Sequence, residues 1–215
     1  MKALIAGVLI LAADPVAAQI PRGANPDQLS IRPIAALSVE RFAAVSTFDA
    51  VFGQSWGTFM GGALQVARGR LFAQVAVSRF GSTGQRAFVA EEDGYALDAP
   101  LTVTITPFEI TAGYRIPRAF RQFPSLTPYV GAGIGSYAYK EYSPSADPGE
   151  NVSMRHAGFL MVGGVELRVH RWVSVAFDLQ RTHVPGILGD GGLSRVAGES
   201  DLGGVMAQFK VVVGR

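Results

Sequence analysis

Cysteine is absent from this chain of 215 residues, which excludes disulfide frameworks and thiolate redox or metal chemistry. Long apolar runs are missing too: no stretch reaches the 18 residues a membrane-spanning helix needs. Charge is scarce, at 17% of residues, and nearly balanced at a formal net +2. That leaves no basic stripe of the kind nucleic-acid binding requires. Only three histidines occur, His156, His170 and His183, and none has a second histidine at metal-ligand spacing.

What the chain has instead is glycine, 26 residues of it, with 48% hydrophobic residues and a positive mean hydropathy of +0.24. The length suits one domain with a sizeable core. The first segment reads as processing information. Met1-Lys2 is followed by an apolar stretch from Ala3 to Ala13, then Pro15-Val16-Ala17-Ala18 before Gln19. A basic start, a short apolar core and small residues at the exit are the parts of a secretory signal peptide, with cleavage after Ala18. Residues 1–18 are therefore set aside, 19–30 are read as a short N-terminal lead, and 31–215 as the folded domain.

Within that domain, alternation of apolar and polar residues dominates and helical periodicity is almost absent. Strands are expected near 31–45, 57–67, 71–80, 101–115, 128–142, 156–168, 172–183 and 201–213. Each is of the length that a tilted strand needs to cross a membrane. Connection lengths alternate. Arg68-Gly69-Arg70 and Val169-His170-Arg171 are tight, whereas 46–56, 81–100, 143–155 and 184–200 are long and polar or glycine-rich. The segment 116–127 breaks this rule, being long where a short turn is due. Short turns at one end and long loops at the other mark a transmembrane barrel, and an even strand number puts both chain ends on the periplasmic side.

The residue types say which face is inside. Val173, Val175, Phe177 and Leu179 share one face of a strand, and Ser174, Ala176, Asp178 and Gln180 the other. Across the chain the more polar faces hold Gly131, Gly133, Gly135, Ser78 and Gly204 rather than a dense Lys/Glu surface. A soluble lipocalin-like barrel, with its apolar face inward, would carry that charged exterior. Small residues instead fit the narrow lumen of eight strands, with the apolar face in lipid. Seven charged residues then point inward: Glu40, Glu109, Arg115, Glu166, Arg168, Asp178 and Lys210. Isolated charges there are costly, so cross-strand pairing into a structural network is expected, with an ion path as the alternative. Trp172, Tyr114, Phe80 and Tyr142 fall at strand ends and are expected in the interfacial aromatic girdles.

Chemistry is harder to find. His183 with Asp178, or His156 with Ser153, are the pairs from which a lipid-modifying site could be built, but neither forms a motif. Gly131-Ala132-Gly133-Ile134-Gly135 lacks the spacing and following helix of a phosphate loop. The cluster Glu91-Glu92-Asp93 and Asp190 read as solvated loop, with calcium or cation-bridged lipopolysaccharide as the functional alternative. No catalytic residue, metal site or cofactor is expected.

The strand Leu126-Thr127-Pro128-Tyr129-Val130-Gly131-Ala132-Gly133 and the segment from Gly163 through Trp172 to Gln180 resemble the second half of the bacterial outer-membrane β-barrel domain family. That family holds the OmpA-type, OmpX-type and opacity-type small barrels. The resemblance implies an all-β, eight-stranded antiparallel up-and-down transmembrane barrel in the outer membrane of a Gram-negative bacterium. It implies lipid, lipopolysaccharide and the outer-membrane insertion machinery as partners. Barrels of this type usually end on an aromatic residue, whereas this chain ends Val213-Gly214-Arg215, with Phe209 its last aromatic. The expected function is a non-enzymatic structural or surface-interaction barrel that contacts ligands through 81–100 and 184–200. A narrow porin-like channel is the alternative, and a lipid-modifying enzyme a more distant one.

Overall fold

The computed structural model describes residues 28–90, 93–117, 119, 122–123, 125–144, 151–188, 194 and 196–214, without the side chains of 85–99. Its elements run β1 (Leu29–Phe42), α1 (Val45–Phe52), β2 (Trp56–Arg68), β3 (Leu71–Ala90), β4 (Asp93–Arg115), β5 (Leu126–Tyr142), β6 (Val152–His170), β7 (Val173–His183) and β8 (Gly204–Val213). Each strand pairs antiparallel with its chain neighbour, and β8 closes on β1 from Ile34↔Val212 to Phe42↔Gly204. The eight-stranded up-and-down barrel expected from the alternation is therefore the fold. The signal segment lies outside the described residues, and β1 begins within the expected lead.

The side-chain parity is as read. On β7, Ser174, Ala176, Asp178, Gln180 and Thr182 are buried, and Phe177 and Leu179 are exposed. Met60, Ile134 and Met161 are 69%, 67% and 64% exposed on the outer wall. Water would not tolerate so continuous an apolar belt, and a hydrocarbon solvent requires it. Closure pairs every strand with a neighbour on both sides, as a solvent that offers backbone polar groups no partner requires.

Three features depart from the sequence reading. The segment 46–56 holds all of α1 but its first residue, a helix two turns long with Val45, Phe48, Val51 and Phe52 at helical spacing. A segment this short gives almost no periodic signal, and its helix depends on packing against the barrel. Second, much of 81–100 is strand. Beyond Arg79 on β3 and before Thr102 on β4 these two strands pair only with each other, as far as Ala90↔Asp93. The hairpin therefore projects past the wall at the loop end. Third, Phe80 does not join an interfacial girdle. It shares inward parity with Phe72 and Ser78, is 5% exposed, and packs 5.5 Å from the Phe42 ring.

Candidate functional site

Three layers fill the lumen. Nearest the short turns, Glu166 of β6 accepts from Arg32 of β1 and, at 3.2 Å, from Arg115 of β4. Both guanidinium groups also reach Gln65 Oε1, and Gln65 Nε2 donates to Gln74 at 3.4 Å. One carboxylate thus ties two arginines from distant strands across the lumen. Arginine suits this because its planar fork has donors for two acceptors at once.

Above it, Lys210 of β8 donates to Asp178 Oδ2 of β7 at 2.7 Å, and the Tyr129 hydroxyl of β5 donates to the same oxygen. Asp178 is 0% exposed, so its charge depends on these partners. Room for it comes from Gly164 directly opposite on β6, where a Cβ would lie 2.3 Å from that of Asp178. Next, Glu109 of β4 accepts from Tyr137 at 2.7 Å and from Gln180 at 3.0 Å. Gln208 donates to Gln180 Oε1 at 3.0 Å and continues the chain to β8.

The third layer is apolar. Phe42, Phe59, Phe80, Ile105, Val184 and Leu202 are all buried at the loop end. Helix α1 lies over them as a lid, its Phe48 ring stacked on Phe42 at 3.9 Å. Its first turn is held from another loop, since Glu199 accepts from the Ser46 and Thr47 amides and the Thr47 hydroxyl. Asp201 pins the base of that loop, taking the Val184 and Gly203 amides and pairing with His183 Nδ1 at 2.7 Å. Burial pushes both carboxyls upward, but these hydrogen bonds outweigh it and hold Glu199 and Asp201 below their ordinary values.

Of the seven charged residues expected inside, Glu166, Arg115, Asp178 and Lys210 meet in ion pairs. Glu109 is held by neutral donors, and Glu40, 5% exposed, has no hydrogen-bond or ion-pair partner among the described residues. Among the described residues the inward charges are thus paired in part. Arg168, expected inside, is instead exposed, beside the register shift that ends β6, where the wall no longer encloses a side chain. Arg32 was overlooked, although it shares parity with Glu40 along β1; Ile34 between them hid the pattern. Tyr114, Tyr142 and Trp172 stand 38%, 57% and 46% exposed at strand ends, and Tyr114 accepts from Arg70 at 2.9 Å.

No group of three or more metal-ligating side chains occurs among the described residues. His183 pairs with Asp201 rather than with Asp178, which Lys210 and Tyr129 occupy. Ser153 is exposed on the outer wall, while His156 has inward parity, so those two do not meet. Glu91, Glu92 and Asp190 lie outside the described residues.

The outer wall has one further regularity. Every charged residue on the outward face of a strand, among the described side chains, is basic: Arg41, Arg68, Arg79, Lys140, Arg155 and Arg181. All but Arg68 stand near the loop end, forming a collar above the apolar belt.

No protein-family model matches the chain, and no curated protein matches it in sequence. Solved structures do match in fold. Neisserial surface protein A is similar at a TM-score of 0.51 and 12% identity, over 89% of this chain and 97% of that one. The outer membrane protein OprG from Pseudomonas aeruginosa is similar at 0.52 and 9%, over 87% and 95%. At such identities the likeness speaks for architecture, and it agrees with the closed wall and the apolar belt. The chain has the fold of the small eight-stranded outer-membrane β-barrels.

Proposed function

We propose that this protein is a structural and surface-interaction barrel of the outer membrane, neither an enzyme nor an open pore. In this reading the start of β1, the end of β8 and the short turns face the periplasm, and α1, the β3–β4 hairpin and the described parts of 184–203 face outward. The observation that carries it is the double closure of the lumen: cross-strand polar layers below, an aromatic layer and lid above. Two cavities of the lumen, one bordered by Glu109 and one by Glu166 and Lys210, are each ≈ 10 Å³, too small for a hydrated ion to pass.

The basic collar supports phosphorylated lipid headgroups as the surrounding partner, since guanidinium groups bind phosphate oxygens in pairs. The self-paired β3–β4 hairpin supports a protein ligand, because its outer edges offer unpaired backbone groups for strand addition.

Planar-bilayer recording of the refolded protein, after a heat-modifiable gel shift has confirmed folding, tests the closed lumen. Stable insertion without current is expected. Discrete conductance steps would overturn the reading in favour of a narrow channel, and would make Glu109 and Lys210 candidates for its lining.

A further inference from the structure

All three bases of the lumen layers are engaged by other acids: Arg32 and Arg115 by Glu166, and Lys210 by Asp178. Glu40 is left over. It is 5% exposed, has no hydrogen bond or ion pair among the described residues, and borders a cavity of ≈ 10 Å³ just beneath the aromatic layer. That is room for one water-sized particle. Glu109, Tyr137 and Thr182 supply the other polar walls, from β4, β5 and β7. Two glycines flank Glu40 on the neighbouring strands: Gly57 is its β2 register partner, and a Cβ on Gly204 of β8 would stand 3.0 Å from Glu40 Oε1.

A bare carboxylate sealed from water costs several kcal/mol or more, so a folded barrel must neutralise it. Among the described residues no basic side chain lines this cavity. Phe59 of β2 and Met206 of β8 are apolar, and Glu109 is a second acid. Arg181 is close enough to act through the wall but faces outward, and Asp201 adds a further negative charge from the loop. A particle small enough for this cavity, carrying one positive charge and binding to oxygen, satisfies every constraint. We propose that the Glu40–Glu109 cavity is a site for one monovalent cation, a proton or an alkali-metal ion, enclosed between the polar layers and the lid. Hard cations and protons both bind to carboxylate and hydroxyl oxygen, so the chemistry is common to the two sources.

Infrared difference spectroscopy of the full refolded chain separates them. Wild type and Glu40→Gln are unfolded in urea, then refolded at neutral pH in sodium chloride or in choline chloride; choline is too large for the cavity. A carboxylic-acid band lost in Glu40→Gln and present in both salts identifies the proton. A band that appears in choline and gives way to carboxylate bands as sodium is added back identifies the metal ion. Either result supports the site. Carboxylate bands alone in both salts would overturn it, because Glu40 would then be charged without a bound cation. Should Glu40→Gln not refold, Glu40→Asp serves as the reference, moving the band where Gln would delete it.

Discussion

Glu199 and Thr47, 152 residues apart in sequence, make two hydrogen bonds: Glu199 Oε2 accepts the Thr47 amide at 2.8 Å and its hydroxyl at 2.7 Å. The other carboxylate oxygen takes the Ser46 amide at 2.9 Å. These are orphan amides of the first turn of α1, whose own N-cap, Ala44, has no side chain to offer them. One acid from the 184–203 segment thus does a local cap's work, and the helix N-terminus favours its negative charge. Replacing Glu199 with Ala should weaken α1 by about 1 kcal/mol, the usual worth of a cap. Faster amide exchange over 45–53, with the barrel strands unchanged, is the expected result. Unchanged exchange there would mean that aromatic packing alone holds the lid.

Acid should loosen the same lid. Glu199 and Asp201 are held below their ordinary values in the folded protein. Their stabilisation is therefore complete above the unfolded carboxylate value, about 4, and is lost as pH falls through the lower folded values. Protease nicking at the α1 loop should rise across that acidic window and not between neutral pH and 5. A profile flat down to the lowest pH at which the barrel survives would contradict this.

Lys210→Met should be the most damaging of the lumen changes. It removes the cation from a fully buried Asp178, leaving the carboxylate with Tyr129 alone. Breaking a buried pair in this way costs about 3–5 kcal/mol. Adding Asp178→Asn should recover most of that loss, since no charge then remains unpaired. Urea unfolding in micelles, followed by the gel shift, measures both. Equal stability of the single and double variants would show that the pair is not coupled.

Ile134, 67% exposed and flanked by Ile110 and Phe159 on the outer wall, is a probe of the membrane itself. Ile134→Arg should cost about 2–4 kcal/mol if this row lies at mid-membrane. Arg in place of Val130, nearer the short turns, should cost less. Equal, negligible costs at both positions would place the belt in water.

Neutralising the collar should leave folding intact and weaken contact with phosphorylated glycolipid. Arg41→Gln, Arg79→Gln and Arg181→Gln together should lower binding to vesicles containing it relative to zwitterionic vesicles. The difference should shrink as salt is raised. An unchanged ratio would remove the collar from the recognition surface.

Much of this architecture was legible because a strand's period of two is a local property. Val173 through Leu179 alternate in four positions, enough to fix a face, and the small residues of the polar faces, Ser174, Gly131 and Gly133 among them, identify a lumen rather than a solvated surface. Four of the expected inward charges meet in pairs for the same reason, parity. Phe80 was misplaced because parity and position at a strand end gave different answers. Arg32 was missed because Ile34 made its face look apolar.

Alternation along the strands thus determined, without any structure, that this chain makes a barrel, and the small, charge-poor residues of its polar faces determined that lipid lies outside and polar groups within. Only the tertiary structure decided which lumen groups meet, because register and closure bring Arg32 to Glu166 and leave Glu40 alone. It also decided the lid, since a two-turn helix has too little local signal to declare itself. That helix exists through contacts with Phe42 and Glu199, which no spacing along the chain encodes.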